Sequence, residues 1–197
     1  IYMGDWSSDV CSSDLSIARS ASKEPITGRL LIIVSTRETP EPRFTIGLSG
    51  PVMLGADIEQ LAPGAAATVD SSADSYPLAS LGDLPKGEYF IQAVVIRYHQ
   101  TTRADGHTVW VPTQHRRLQS TPFFALPGNL YSKARKVTLD AAAGFHERLE
   151  VTDVIPPAED LRDTPWLRHV RIKSKLLSEF WGTPVYLGLY GDRKSVV

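Results

Sequence analysis

The sequence predicts an all-β protein: an immunoglobulin-like antiparallel β-sandwich followed by the first strands of a truncated second domain. Three observations predict it. About seven short runs of branched and aromatic residues recur between turn signals, the pattern of a sandwich rather than of helices on a parallel sheet. No long amphipathic helical period occurs before residue 165. The two strongest runs, GRLLIIVST at 28–36 and EYFIQAVVIRY at 88–98, are apolar on both faces, as in strands covered from both sides.

Each element follows in chain order. Residues 16–27, SIARSASKEPIT, are small and polar without period and read as a flexible lead-in. The sandwich domain spans 28–155. In its first strand Leu30, Ile32 and Val34 share one face, and Leu31 and Ile33 the other. ETPEPR at 38–43 turns the chain, and RFTIGL at 43–48 reads as a short strand with Phe44 and Ile46 on one side. Gly50-Pro51 signals a turn into VMLGADI at 52–58. LAPGAAATVD at 61–70 is a loop leading to a short strand, and Pro77 and Pro85 confine LASLGDL to about one helical turn.

After Lys86-Gly87 comes the strongest strand. Phe90, Val94, Ile96 and Tyr98 face one way; Tyr89, Ile91, Ala93 and Val95 face the other. Ala104-Asp105-Gly106 turns the chain into HTVWV, where Val109 and Val111 oppose Trp110. Residues 112–127 are polar and aromatic loop. Val137 and Leu139, then Leu149 and Val151, mark two strands around a glycine-containing turn. The prolines and charges of 156–166 form a linker, and 167–190 hold two further strands joined at Gly182-Thr183-Pro184. A helix through Leu167, Val170 and Leu177 competes with the first of these. The alternation of Val170, Ile172 and Leu176 against Arg171, Lys173 and Lys175 favours the strand.

Composition sets the outer bounds. The chain has 197 residues, 42% hydrophobic and 22% charged, an ordinary globular balance with enough length to bury a core unaided. A formal charge of −1 supplies no basic field for nucleic acid, and no apolar run approaches the roughly 20 residues that span a bilayer. The ends read differently from the middle. DWSSDVCSSDL at 5–15 and GDRKSVV at 191–197 both reverse-translate as sequencing-adapter DNA, so residues 1–15 and 191–197 are expected to be library artefacts. Setting aside Asp5, Asp9 and Asp14 at one end and Asp192, Arg193 and Lys194 at the other leaves 19 basic and 18 acidic residues, a formal charge of +1. Cys11, the one cysteine, goes with them, and thiol chemistry, disulfides and cysteine-ligated zinc with it.

Chemistry is sought and mostly not found. GLSGP at 47–51 is the nearest string to the G-x-S-x-G nucleophile elbow, but proline stands where the second glycine belongs and no helix follows, so it reads as a β-turn. The histidines are His99, His107, His115, His146 and His169, and none has paired metal-ligand spacing. Asp105 could orient His107, although Asp-Gly before a strand is also ordinary turn chemistry. His115-Arg116-Arg117 could meet an anion or simply be solvated. Glu147 and Glu150, three apart in a strand, point to opposite faces and do not converge. Trp110, Phe123, Phe124 and Tyr131 could line a sugar or peptide surface or pack in the core. No catalytic, cofactor-binding or metal-binding residue is assigned, and no cofactor is called for.

Several strings carry a resemblance. GRLLIIVST with PEPR after it, YPLASLGDLPKGEYFIQAVVIRYHQTTRADGHTVW, PGNLYSKARKVTLD and HVRIKSKLLSEFWGTPVYLG occur in this order. Together they resemble the N-terminal region of large secreted bacterial esterases related to the enterochelin-esterase-like branch of the α/β-hydrolases. The resemblance covers most of 28–188. It implies a non-catalytic sandwich packed on its own downstream hydrolase domain, a secreted or periplasmic home, and ester hydrolysis by a Ser-His-Asp triad that would lie beyond residue 190. The alternative is an autonomous immunoglobulin-like module that binds glycan or protein.

Overall fold

A computed structural model describes residues 11–70, 72–79, 81–113, 122–157 and 163–192. Residues 1–10, His115-Arg116-Arg117, much of the linker and 193–197 lie outside them. The described chain is built of strands: β1 (Cys11–Ile17), β2 (Ile26–Ser35), β3 (Val52–Leu61), β4 (Ala66–Val69) and β5 (Asp74–Tyr76) form its first half. The long β6 (Gly87–Thr102) follows, then β7 (Thr108–Pro112), β8 (Leu130–Tyr131), β9 (Arg135–Leu139), β10 (Phe145–Val151) and β11 (Asp153–Val154). A last unit consists of β12 (Leu167–Ser174), the helix α1 (Lys175–Trp181) and β13 (Val185–Asp192).

Two layers enclose the core, an all-β sandwich-like arrangement. The larger sheet runs β11-β8-β6-β2-β3-β5, with β9 and β7 pairing further stretches of β6, all antiparallel. The smaller runs β10-β1-β4. Between them lie Leu30, Ile32, Val34, Ile91, Ala93 and Val95 of the larger sheet and Leu15, Ile17, Val69, Leu149 and Val151 of the smaller. The opposite face of the larger sheet buries Leu31, Ile33, Val94 and Ile96 under Ile46, Met53, Tyr98 and Tyr131. Both central strands are thus apolar on two faces because both faces are covered. Gly28 is required where β2 meets β6: a Cβ there would sit 2.0 Å from the Ile96 carbonyl oxygen.

Four local expectations are corrected. The sandwich is not wholly antiparallel, since β1 runs parallel to β10. Residues 16–27 are not a loose lead-in: Ser16 and Ile17 complete β1, Ile17 is fully buried, and the turn after it bonds Ala21 and Ser22 back to Ala18. RFTIGL is not a strand. Pro42 opens a 3-10 turn over Pro42–Thr45, and the Arg43 N–H goes to the Gln92 side chain instead of a ladder partner. Finally, the strand from Leu167 stops at Ser174. Ser174 caps α1 by accepting from the Leu177 N–H, and Gly182 ends it with φ 65°. The antiparallel pair expected across 167–190 is present, joined through this helix.

Candidate functional site

Three polar constellations stand out, and the sequence singled out only fragments of them. The first lies on the outer face of the larger sheet. Gln92 interrupts the apolar run of β6 and is fully buried. Its Oε1 accepts from the Arg43 N–H at 3.0 Å, and its Nε2 donates to the Ser132 carbonyl at 2.9 Å and to the Glu41 carboxylate at 3.0 Å. Arg43 lies with its guanidinium over the rings of Phe44 and Tyr131, at 4.1 and 4.2 Å, and donates to Glu41 and to the Phe124 carbonyl. Burial pushes the Glu41 carboxyl up, but the bonds from Gln92 and Arg43 outweigh it and hold the group below its ordinary value. The PEPR string is therefore a clamp that fastens a proline loop to the sheet. Its legible signal was the lone glutamine inside the strongest strand.

Around this clamp the aromatic residues divide between core and surface. Phe123 and Phe44 are exposed, and Phe124 meets both edge-on at 5.3 and 6.2 Å. Tyr131 is half-buried against the clamp, and Trp110 is exposed on β7, opposite Gln100 of β6.

The second constellation is a cleft of about 260 Å³ beside β3 and β5, near the end of β4. Arg29 bonds Asp57 at 3.0 Å and also bonds Asp74, and its guanidinium passes over Gly55, where a Cβ would meet Nη2 at 2.9 Å. Asp70 closes an Asx turn with Ser72, whose hydroxyl and N–H hold its carboxyl low. The cleft's charges already answer one another.

The third brings a serine, a histidine and an acid together. Ser12 Oγ lies 2.8 Å from His146 Nδ1, and His146 Nε2 lies 3.0 Å from an oxygen of Asp14. The Thr68 hydroxyl donates to the other carboxylate oxygen and, against the opposing effect of burial and with help from His146, holds Asp14 low. The register dictates the meeting: Ser12 is opposite His146 on β10, and Asp14 is opposite Thr68 on β4. β1 pairs with β10 from Cys11 to Ile17 and with β4 from Ser13 to Ser16, so at Ser12 the described ladders occupy one edge. The group sits on the open side of a regular sheet with His146 exposed. It is a surface hydrogen-bond chain.

The remaining singled-out residues resolve simply. His107, exposed, accompanies its own N–H in contacting Asp105, which Arg103 holds at about 2, so this is turn chemistry with Gly106 at φ 84°. GLSGP closes a turn, with Gly50 N–H donating to the Gly47 carbonyl. Glu150 is exposed on β10, while Glu147 points to the other face and pairs with Arg135. His99 is exposed, and His169 contacts Asp163. Among the described residues no group of three or more His, Cys, Asp or Glu could hold a metal ion, and no helix is long and apolar enough to cross a membrane.

What fold and sites define together is a β-sandwich-like protein with a hairpin-and-helix unit after it. No protein family, no curated protein and no solved structure matches the chain.

Proposed function

We propose that this chain is the non-catalytic N-terminal portion of a secreted or periplasmic bacterial ester hydrolase of the enterochelin-esterase-like branch, acting beside a downstream α/β-hydrolase domain. The single observation that supports it most is the unfinished sheet at 167–192. Among the described residues β12 and β13 pair only with each other, and cross-strand partners share a face: Val170 with Leu189, Ile172 with Leu187, and Ser174 with Val185. That face is apolar, yet Ile172, Leu187 and Leu189 are 47%, 43% and 53% exposed. A two-stranded ribbon is marginal in water alone, and an apolar face invites further strands or a covering layer. The strings HVRIKSKLLSEFWGTPVYLG that carry the resemblance are this ribbon and its helix.

In that reading water attacks an acyl-enzyme formed on a serine of the following domain, and the sandwich packs beside it. The test is to recover the gene past Tyr190 and express the extended protein. A following G-x-S-x-G, with p-nitrophenyl-ester turnover by the extended protein and none by the 197-residue chain, is the expected result. A stop codon, an unrelated domain, or saturable turnover by the chain itself overturns it. The second reading, an autonomous module for glycan or protein, is favoured by the exposed Phe44 beside Arg43 and the exposed Phe123, and a stop codon would support it.

A further inference from the structure

We infer that the β6–β7 hairpin is a docking arm, by which the sandwich caps α1 and fixes the orientation of the β12–α1–β13 unit. β6 is 16 residues long, and β2 pairs with only 90–97 of it. Among the described residues its ladder partner from Tyr98 to Thr102 is β7 alone, so the strand overruns the sandwich as a two-stranded ribbon. Ribbons of this kind do not stand by themselves. Along the arm from Gln100 to Pro112 one side chain is buried, and it is the polar Thr101 rather than an apolar anchor.

What buries Thr101 is the end of α1. A helix leaves its last carbonyls unsatisfied, and an ordinary C-cap answers them from the chain that follows. Here the arm answers two of them. The Thr101 hydroxyl donates to the Trp181 carbonyl at 2.8 Å, and the Ala104 N–H donates to the Phe180 carbonyl at 2.7 Å. Arg103, which also pairs with Asp105, sits 5.3 Å from the Phe180 ring centre and so lays its guanidinium against the last turn of the helix. Gly182 lets the two backbones touch: a Cβ there would lie 2.7 Å from the Thr102 carbonyl oxygen. Donors on one side, orphan acceptors on the other and a glycine at the crossing make this contact directional. A merely greasy patch would leave the unit free to slide; this contact sets one angle. The inference stands without the esterase reading, since it concerns two parts of the present chain.

The test uses the full 197-residue chain with Cys11→Ser, spin-labelled at Glu59→Cys and Lys173→Cys, both exposed positions. A narrow distance distribution is expected, broadened by Thr101→Val and by Gly182→Ala and restored to parental width by Thr101→Ser. In parallel, Thr101→Val should speed amide exchange across 175–192 about five-fold, as the loss of one net hydrogen bond would, with β2 unchanged. A broad distribution in the parent overturns the inference. So does an unchanged distribution in both variants, or faster exchange spread equally into β2, which would make Thr101 a residue of general stability.

Discussion

Replacing Gln92 by Met tests whether the buried polar clamp holds the proline loop to the sheet. Methionine keeps the unbranched shape and lets the site stay filled, so the perturbation is the loss of three hydrogen bonds. The Arg43 N–H and the Ser132 carbonyl are both buried and lose this partner, at about 1–3 kcal/mol each. Burying the thioether chain returns about 1 kcal/mol. The expected net loss is about 1–5 kcal/mol, read as a lower urea midpoint at unchanged slope. The pH dependence gives an independent sign. Glu41 has its folded pKa below the unfolded one, so its contribution is complete above the unfolded carboxylate range, about 4.3, and fades as pH falls through the lower folded value. Removing the Gln92 donor should flatten that acid limb. Gln92→Glu should do the reverse: a second carboxylate beside Glu41 destabilises at pH 7, and stability recovers as acidification protonates it. A Gln92→Met protein within about 0.5 kcal/mol of the parent, with the same acid limb, would refute the clamp.

Other substitutions probe the frame. Ile91→Asp or Val95→Asp should abolish soluble folding, because each places an unpaired carboxylate between the two sheets; a normal thermal transition in either would remove β6 from the core. Gly28→Ala drives a methyl into the Ile96 carbonyl, a backbone group that cannot swing aside, and should cost about 3 kcal/mol or more by chemical denaturation. His107→Ala should shift stability by about 1 kcal/mol or less, since the ring is exposed and the turn keeps Asp105 and Gly106; a large loss in calorimetry would give the imidazole a role the turn lacks.

Period-two patterning made the frame legible. The faces of β2 and β6 follow from Leu30-Ile32-Val34 against Leu31-Ile33 and from Tyr89-Ile91-Ala93-Val95 against Val94-Ile96, because a strand buried on both sides must alternate in this way. What escaped was decided by partners far along the chain. Nothing near Arg43 says that its N–H will meet a side chain 49 residues later, and that bond turns an apparent strand into a 3-10 turn. At Lys175 the alternating pattern and the helical one overlap, and the Ser174 cap with Gly182 tips the balance. The meeting of Ser12, Asp14, Thr68 and His146 is a matter of register between β1, β4 and β10, which no local pattern encodes.

That register also explains how a stretch expected from its sequence to be a library artefact comes to lie in a sheet. Ladder bonds use backbone groups that every residue but proline possesses, so a strand constrains mainly its inward positions. In β1 these are Ser13, Leu15 and Ile17, all buried, while Ser12, Asp14 and Ser16 face outward. SSDLSI meets the requirement with one small residue and two branched ones, and β10, with Leu149 and Val151 inward, supplies the template. The position that makes the difference is Leu15, fully buried in the core shared by the two sheets. Leu15→Ala should therefore cost about 2–5 kcal/mol, the range for emptying a core leucine, whereas Asp14→Ala on the outward side should cost about 1 kcal/mol or less. Equal and small effects at the two positions, measured by urea unfolding, would mean that the first half of β1 adds nothing to the sandwich and that the fold begins at Ser16.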